Sequence, residues 1–513
     1  MENHYAEHPL DVIEFFLTCS KTEPSALIIL ENTFGGSVRS PGALMAVSQS
    51  GKSSGYISGG CIDADLILQA QTSLRLNQPR KLIYGIGSPF IDLPLPCGGA
   101  IHVRVLPEPD IETLKGVFEQ LSNRRTVRIL LSDNHLIQMD NTDVEFCDGF
   151  RAFLYEPKLR LRIAGRGADC LALCRIAQAS NIETILQLTT DEDIAAARSQ
   201  GLSDIQHLKS ISDVTSTSDD PWTAFALTFH DRDWEVPLLQ FALSGSAFYV
   251  GAVGSRKTHE ARVQALMEAG MNIRDIERIH APIGLVPSLR DASSLAISAL
   301  AEIIDAFTKR LEVMKQSTAV VLLAAGEASR FSEGDKLLAK LHEKPLLSHF
   351  GFLTKDKHFA RSLAVTRPED TDRQSLLKND GWDICENDQA YTGQASSILC
   401  GLRALQNDPN IRKIIILLAD MPLVSKQHIE DMIMLGWNRS HLIMSHNGQH
   451  ITPPVLIDAS DIDQLLRLTG DKGARALLSE KKDRSFVRIS KVESRDIDTL
   501  EDLKAVSLLL KKD

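Results

Sequence analysis

Apolar runs rich in Val, Ile and Leu alternate with helical repeats along most of the chain, and this pattern predicts α/β domains with largely parallel sheets. An amphipathic helix near residues 9–20 is followed by the strand ALIILEN and by a hairpin centred on Ser50-Gly51. The pattern breaks near residues 106–112 and again where a long helix ends at Thr318. A length of 513 residues corresponds to about three domains of ordinary size. The predicted domains cover residues 1–110, 155–310 and 318–513.

The composition is that of a globular protein, with 43% hydrophobic and 24% charged residues. No stretch reaches the ~20 apolar residues that span a bilayer, and the first residues lack the basic start of a signal peptide. We therefore expect a cytoplasmic protein with no membrane partner. The net charge of −11 disfavours a broad nucleic-acid surface. Eight cysteines are scattered without a CxxC pair, which favours free thiols over a disulfide framework or a structural zinc site.

A cysteine follows two glycines in the stretch SGGCIDADL, directly before a predicted helix. Cys61 would lie at the N-terminus of that helix, where unpaired N–H groups and the helix dipole favour a thiolate. Asp63 and Asp65 in the first turn oppose part of this effect. The alternative is a small buried residue where glycine-lined backbones pack closely, because cysteine is among the residues most often buried. The residues alone leave both interpretations open.

The second predicted domain opens with a strand, a G-x-G turn at Gly165 and Gly167, and a helix. This is the outline of a phosphate-binding turn. However, Cys170 takes the third small position of the dinucleotide fingerprint, and the next strand, ETILQL, ends without an acid for a ribose hydroxyl. These two departures disfavour a dinucleotide site. Cys170 and Cys174, one helical turn apart, are predicted to face the core.

The third predicted domain begins with an apolar strand that runs into the small-residue loop Ala324-Ala325-Gly326. Backbone N–H groups of such a loop can hold a triphosphate, while Arg330 and Lys336 neutralise its charge. Further along, Asp420 follows the apolar strand KIIILLA, at the end of the strand where α/β sheets place their ligands. An aspartate there is suited to Mg²⁺ on a nucleotide. The alternative is an aspartate in a loop that faces solvent.

Four stretches in the last part of the chain together resemble the MobA-like nucleotidyltransferase family, in particular its molybdenum cofactor cytidylyltransferases. They are residues 319–347, 418–424, 470–478 and 496–503. The resemblance implies that the loop from Ala324 to Arg330, together with Lys336, binds the nucleotide, and that Asp420 and Asp498 hold Mg²⁺. It also implies CTP, because the Ala-Ala-Gly loop is similar to that of the cytidine enzymes. The stretch RFSEGDK departs from the Arg-Met-Gly that the family usually has there.

The first 310 residues resemble the XdhC/CoxI family, the accessory proteins that prepare molybdenum cofactor for xanthine dehydrogenase and related hydroxylases. The stretches GGSVRSPGALMAV, GYISGGCIDADL, LPCGGAIHV, FYVGAVGSRKTHEARVQAL and RIHAPIGL carry this resemblance. It implies that Cys61 is the first candidate, and Cys97 the second, for a residue that contacts the metal of the cofactor or at which the terminal sulfur of the cofactor is handled. It also implies cofactor binding at Gly165 and Gly167, although the family's usual His is absent from this loop.

The two resemblances imply an α/β protein with an N-terminal XdhC/CoxI domain, a Rossmann-like domain and a C-terminal Rossmann-like nucleotidyltransferase domain. The implied reaction is attack by the terminal phosphate of molybdopterin-bound molybdenum cofactor on the α-phosphorus of CTP. Its products are the cytosine dinucleotide cofactor, for delivery to an apo-hydroxylase of the xanthine dehydrogenase type, and pyrophosphate. Two alternatives stay open: a non-enzymatic carrier of the cofactor, and a nucleotidyltransferase for another phosphate acceptor. A cysteine desulfurase as a partner and a homodimer also stay open.

Overall fold

The chain forms two compact units, Met1–Arg160 and Leu161–Asp513. The computed structural model describes residues 3–34, 37–60, 62–85, 99–132, 136–139, 151–216, 219–229, 231–326, 331, 334–355, 358–437, 442–466 and 484–509. Within these residues, no helix has both the length and the apolar character needed to cross a membrane. The finer division into three domains stays a prediction.

A six-stranded sheet in the order β1-β4-β3-β2-β6-β5 forms the first unit, beside a three-stranded antiparallel sheet in the order β8-β7-β9. The strands are β1 (Asn3–His4), β2 (Ser25–Phe34), β3 (Leu44–Ser48), β4 (Ser53–Gly55), β5 (Arg80–Gly85), β6 (Ala100–Pro107), β7 (Val127–Leu131), β8 (Leu136–Met139) and β9 (Arg151–Tyr155). The helices are α1 (Pro9–Cys19), α2 (Asp63–Leu76) and α3 (Ile111–Ser122).

Most strand pairs in this larger sheet are antiparallel, which differs from the expectation of largely parallel sheets. The predicted hairpin is present, because β3 returns as β4 through a turn at Ser50-Gly51 and Val47 pairs with Ser53. In β2, Leu27 and Ile29 join the core on one face, while the alternate residues join the core on the other face. Helices cover both faces of the strand, which explains why its sequence is continuously apolar.

The second unit begins with a six-stranded sheet in the order β12-β11-β10-β13-β14-β15. Its strands are β10 (Arg160–Gly165), β11 (Glu183–Leu188), β12 (Ile205–His207), β13 (Thr223–Thr228), β14 (Tyr249–Ala252) and β15 (Ile279–His280). Its helices are α4 (Gly167–Ala179), α5 (Asp191–Ser199), α6 (Arg232–Ser244), α7 (Arg256–Glu268), α8 (Ile273–Ile276) and α9 (Ala292–Gln316). The strand order reverses between β10 and β13, and β13, β14 and β15 pair in parallel, as in Rossmann folds.

A seven-stranded sheet in the order β20-β19-β16-β21-β23-β22-β24 follows in the same unit, with a small hairpin of β17 and β18. The strands are β16 (Thr318–Leu323), β17 (Lys340–Leu341), β18 (Lys344–Pro345), β19 (Arg361–Thr366), β20 (Asp383–Glu386), β21 (Lys413–Leu418), β22 (Leu442–His446), β23 (Ile451–Asp458) and β24 (Arg484–Arg488). The helices are α10 (Gly351–Lys355), α11 (Thr371–Asn379), α12 (Gln394–Leu405), α13 (Lys426–Gly436), α14 (Ile462–Leu466) and α15 (Leu500–Leu509).

One apolar core connects the seven-stranded sheet with residues that precede it in the chain. Trp222 and Met314, each 2% exposed, belong to the same buried cluster as Val320 and Leu322 of β16. Helix α9 contacts both α4 and α13, so it packs on the first helix of the Rossmann-like sheet and on a helix of the seven-stranded sheet. The second unit is therefore held together through its own hydrophobic core.

Candidate functional site

Two parallel strands end side by side at the edge of the seven-stranded sheet where the sequence predicts a nucleotide site. Strands β16 and β21 are paired in register up to Leu323 and Leu418, so the loop that starts at Ala324 lies beside the segment that carries Asp420. The backbone N–H of Ile497 donates to the carbonyl oxygen of Asp420 at 2.9 Å. This hydrogen bond brings Asp498, which is distant in sequence, to the same edge.

Lys336 joins the two aspartates that the sequence analysis assigned to Mg²⁺. Its Nζ donates to Oδ2 of Asp420 at 2.8 Å and to Oδ1 of Asp498 at 2.9 Å, and the residue is only 6% exposed. Burial alone would lower the pKa of Lys336, but the charges and hydrogen bonds of the two carboxylates outweigh burial and raise the pKa. The side chain therefore stays an ammonium at neutral pH.

The carboxylates of Asp420 and Asp498 suit a divalent cation whose other ligands come from a nucleotide. Oδ1 of Asp420 is buried and has no hydrogen-bond partner, an arrangement that is costly unless a ligand completes it. Among the described residues no group of three or more His, Cys, Asp and Glu side chains could hold a metal alone. Mg²⁺ is commonly bound by one or two carboxylates together with substrate phosphates. Two carboxylates beside the predicted nucleotide loop match that mode of binding.

Two arginines that the sequence analysis did not identify hold the backbone of the predicted nucleotide loop. Arg373 donates from Nη1 to the carbonyl oxygens of Ala324 at 2.8 Å and Gly326 at 3.1 Å. Arg367 donates from Nε to the carbonyl oxygen of Ala325 at 2.9 Å. These carbonyl oxygens are therefore turned toward the guanidinium groups.

Arg373 also links this loop to the residue before Lys336. Its Nε and Nη2 donate to the two carboxylate oxygens of Asp335, at 2.5 and 2.9 Å, and Asp335 in turn accepts from the N–H of Leu337. The sequence carries one small signal for it, because Arg373 lies four residues before Leu377 and both therefore fall on one face of the helix. Arg330, the other predicted phosphate ligand, lies outside the described residues.

A cavity of about 250 Å³ opens beside the loop and Asp420. Its walls come from the ends of β16 and β21 and from the segment that leads into α12. They include Gly326, Arg367, Tyr391, Gln394, Ser397 and Asp420. Arg367 supplies a positive charge to a cavity that also holds the predicted metal carboxylate. Such a combination suits a ligand that carries phosphate.

Cys61 and Cys97 lie outside the described residues, but the loop before Cys61 is described. Gly59 and Gly60 have φ angles of +72° and +115°, which other residues rarely adopt. The carboxylate of Asp63 accepts hydrogen bonds from the N–H groups of Ile57, Ser58 and Gly60. These three donors are therefore occupied by a protein carboxylate. The roles of both cysteines stay predictions.

The G-x-G turn of the Rossmann-like sheet is closely packed, and one of its N–H groups is hydrogen-bonded to a protein carboxylate. A Cβ atom on Gly165 would lie 1.9 Å from Oγ1 of Thr228, so only glycine fits there. The N–H of Gly167 donates to Oδ1 of Asp193 at 3.0 Å, which places a carboxylate where a bound phosphate would be expected. This contact disfavours a dinucleotide phosphate on Gly167, and cofactor binding at Gly165 and Gly167 stays a prediction.

The two cysteines of helix α4 are core residues, as predicted. Cys170 and Cys174 are both fully buried. Burial raises the pKa of Cys170 to about 12 and that of Cys174 to about 11, so both are neutral thiols. Neither is suited to ligate a metal or to act as a nucleophile.

Comparison with known proteins adds independent findings. Family models match the XdhC and CoxI family at residues 19–85, the XdhC Rossmann domain at residues 161–303 and the MobA-like NTP transferase domain at residues 320–485. The molybdenum cofactor insertion chaperone PaoD of Escherichia coli strain K12 is 32% identical over 283 residues, which cover 54% of this chain and 82% of that protein.

Two solved structures are similar to parts of the chain at low sequence identity. A xanthine dehydrogenase from Bacillus halodurans superposes with a TM-score of 0.50 and 22% identity, over 58% of this chain and 96% of that one. A nucleotidyl transferase from Methanothermobacter thermautotroptrophicus has a TM-score of 0.33 and 19% identity, over 38% of this chain and 99% of that one. At these identities the first likeness concerns the fold alone.

Proposed function

The chain belongs to the XdhC and CoxI family and carries a MobA-like NTP transferase domain, and from this combination we propose that it acts in the maturation of molybdenum cofactor. In the proposed reaction, the terminal phosphate of the molybdopterin cofactor attacks the α-phosphorus of CTP. The products are the cytosine dinucleotide cofactor and pyrophosphate. The part of the chain that resembles an insertion chaperone would then deliver the product to an apo-hydroxylase of the xanthine dehydrogenase type, in the cytoplasm.

The cluster of Lys336, Asp420 and Asp498 beside the loop is the observation that supports nucleotidyl transfer. One ammonium between two carboxylates leaves one net negative charge, which favours a divalent cation. Mg²⁺, held by Asp420 and Asp498 when bound, would neutralise phosphate charge and orient the phosphates.

Positioning and charge compensation are what these residues contribute to the proposed reaction. The attacking phosphate is already an anion, so no residue has to remove a proton from it. Arg367 compensates phosphate charge in the cavity, and Lys336 compensates charge at the edge where β16 and β21 end. Arg373 acts on the reaction indirectly, because it fixes the loop that faces the phosphates.

A carrier that binds the cofactor without transferring a nucleotide is a second candidate function. Its support is the identity of 32% to an insertion chaperone over a region that covers 54% of this chain. Both candidates predict an apo-hydroxylase as the partner, and they differ only in whether pyrophosphate is released. A nucleotidyltransferase for another phosphate acceptor has no support from the XdhC and CoxI part of the chain.

The decisive experiment is incubation of the full chain with molybdenum cofactor, Mg²⁺ and one nucleotide at a time, with pyrophosphate release as the measurement. We expect release with CTP and little with GTP. Asp420→Asn should lower the rate by roughly 100-fold or more, because the carboxylate charge acts on the transition state. Asp383→Asn, at an exposed aspartate on β20, is the control and should keep the parent's rate. Equal rates in the parent and the Asp420 variant would refute the proposed mechanism, and absence of release with all nucleotides would favour the carrier.

A further inference from the structure

Two cysteines in the transferase domain lie side by side, although neither took part in the predicted chemistry. Cys385 lies on the edge strand β20 and Cys400 lies on helix α12. Their sulfur atoms are 3.1 Å apart. Since a disulfide bond is about 2.0 Å long, an approach of about 1 Å would join them.

The thiol pair is accessible to small reagents. Both residues are partly exposed, in contrast to the buried Cys170 and Cys174. A cavity of about 560 Å³ borders both thiols and is also lined by Arg403. A peroxide or an alkylating agent can therefore reach the pair without unfolding of the domain.

The segment between the two cysteines forms one wall of the cavity of about 250 Å³ beside Asp420, here called the nucleotide cavity. Nδ2 of Asn387 donates to the hydroxyl oxygens of Ser396 and Ser397, at 3.0 Å each, and so connects the end of β20 to the first turn of α12. Ser397 lines the nucleotide cavity, as do Tyr391 and Gln394. Cys400 lies one helical turn after these serines. A bond between the sulfur atoms would pull on the same β20–α12 junction that Asn387 holds.

We propose that Cys385 and Cys400 are a reversible thiol–disulfide site, and that its oxidation by a peroxide weakens nucleotide use by displacing the α12 wall of the cavity. The effect on catalysis rests on the proposed nucleotidyl transfer, whereas formation of the disulfide does not. The pair is thus a modification site in the transferase domain, and it makes the proposed activity sensitive to oxidants.

The reaction balances with hydrogen peroxide as the oxidant. The thiolate of Cys385 attacks one peroxide oxygen, the O–O bond breaks, and hydroxide leaves and takes up a proton as water. The sulfenic acid that forms on Cys385 is then attacked by the thiol of Cys400, the S–S bond forms, and a second water leaves. In total two thiols lose two electrons and two protons, and one peroxide becomes two waters.

The surroundings favour Cys385 as the attacking sulfur. The hydrogen bond from the Cys400 thiol lowers the pKa of Cys385 to about 7, with help from the Arg361 charge and against burial and Glu386. The same contact raises the pKa of Cys400, with burial acting in the same direction and Arg403 opposing it. Cys385 is therefore largely a thiolate above neutral pH, while Cys400 keeps the proton that the second step needs.

The test uses the full chain, treated with hydrogen peroxide between pH 5.5 and 8.5 and then blocked with an alkylating agent. Peptide mass spectrometry should find Cys385 linked to Cys400. The rate at which this disulfide forms should rise with pH, with a midpoint at about pH 7. Pyrophosphate release should fall between about 10- and 100-fold, chiefly through a higher KM for the nucleotide, because a shift of about 1 Å can have an effect of that size. Dithiothreitol should restore the parent's rate.

Matched cysteine variants distinguish the effect of this disulfide from the effect of oxidation elsewhere in the protein. Cys385→Ser and Cys400→Ser should each keep the reduced parent's rate and lose its sensitivity to peroxide, whereas Cys19→Ser should stay sensitive. Absence of the Cys385–Cys400 peptide would overturn the proposed site. A linked peptide with unchanged pyrophosphate release would overturn the coupling to the cavity. If the reduced protein releases no pyrophosphate, the proposed function fails, and the linked peptide together with CTP affinity by calorimetry still decides this proposal.

Discussion

At the scale of single residues, Lys336 has an unusual position, because it compensates the two carboxylates that we assign to Mg²⁺. The side chains of Asp420 and Asp498 are 25% and 33% exposed, while that of Lys336 is 7% exposed. Lys336 therefore sets how strongly the carboxylates repel each other and how strongly they attract a second cation. It can support transfer and at the same time limit metal affinity.

The variant Lys336→Met tests this dual role. Removal of the ammonium leaves two neighbouring carboxylates with more negative charge, so we expect tighter binding of Mn²⁺ as a probe for Mg²⁺. We also expect pyrophosphate release to fall by roughly 100-fold, because charge compensation at the phosphates is lost. Calorimetry with Mn²⁺ and the pyrophosphate assay measure the two effects. Weaker Mn²⁺ binding in the variant would mean that Lys336 supports the metal site rather than competing with it.

The sequence could predict some of these residues and not others, for physical reasons. Asp420 follows an apolar strand, and Lys336 follows the small-residue loop that comes after another apolar strand, so strand pattern and residue chemistry are enough to place them at one edge of a sheet. Asp498 reaches the same edge through a backbone hydrogen bond between Ile497 and Asp420, which no local pattern encodes, and only the family resemblance implied it. Arg373 acts from a helix packed behind the loop, and such tertiary contacts leave almost no trace in a single sequence.

At the scale of elements, helix α11 holds the start of the predicted nucleotide loop through one side chain. Arg373 contacts two loop carbonyls and both carboxylate oxygens of Asp335, a geometry that needs a planar guanidinium. A Cβ atom on Gly326 would meet open space, so no side chain packs against this side of the glycine and the hydrogen bond from Arg373 holds its carbonyl group.

Arg373→Lys should therefore disturb the loop while keeping the charge. We expect a loss of stability of about 1.5–3 kcal/mol, because charged hydrogen bonds to buried partners are lost, together with a higher KM for the nucleotide. Arg361→Lys, at a partly exposed arginine on β19, is the control and should change neither quantity measurably. Urea unfolding and the pyrophosphate assay provide the measurements. A fully active and stable Arg373→Lys protein would show that a charge alone is sufficient at this position.

The packing of helices on sheets explains why the prediction of parallel strands was incomplete. The apolar run of β2 suggested a parallel sheet, but helices on both faces of an antiparallel sheet give the same pattern. Only the short turn at Ser50-Gly51 distinguished the two arrangements, and it did so for one pair of strands. In the second unit, long helical segments between strands made the parallel prediction correct.

At the scale of the whole molecule, a fragment that contains the seven-stranded sheet keeps its apolar core only if it includes the rest of the second unit. The predicted domain of residues 318–513 would lose Trp222 and Met314 from the cluster that supports β16. Loss of large buried side chains costs roughly 3 kcal/mol or more, which corresponds to a Tm lower by about 6–12 °C for a domain of this size. Residues 161–513 keep the whole cluster and are therefore the appropriate fragment for separating the two proposed activities.

We expect residues 161–513 to release pyrophosphate at close to the rate of the full chain, because Lys336, Asp420, Asp498 and their described contacts all lie within this fragment. The same fragment should fail to activate an apo-hydroxylase, because it lacks the part that matches the XdhC and CoxI family at residues 19–85. Both activities are measured on the same samples, and residues 318–513, with the lower Tm, serve as the comparison for stability. If residues 161–513 activate the hydroxylase as well as the full chain does, delivery belongs to the second unit, and the first unit must have a different role.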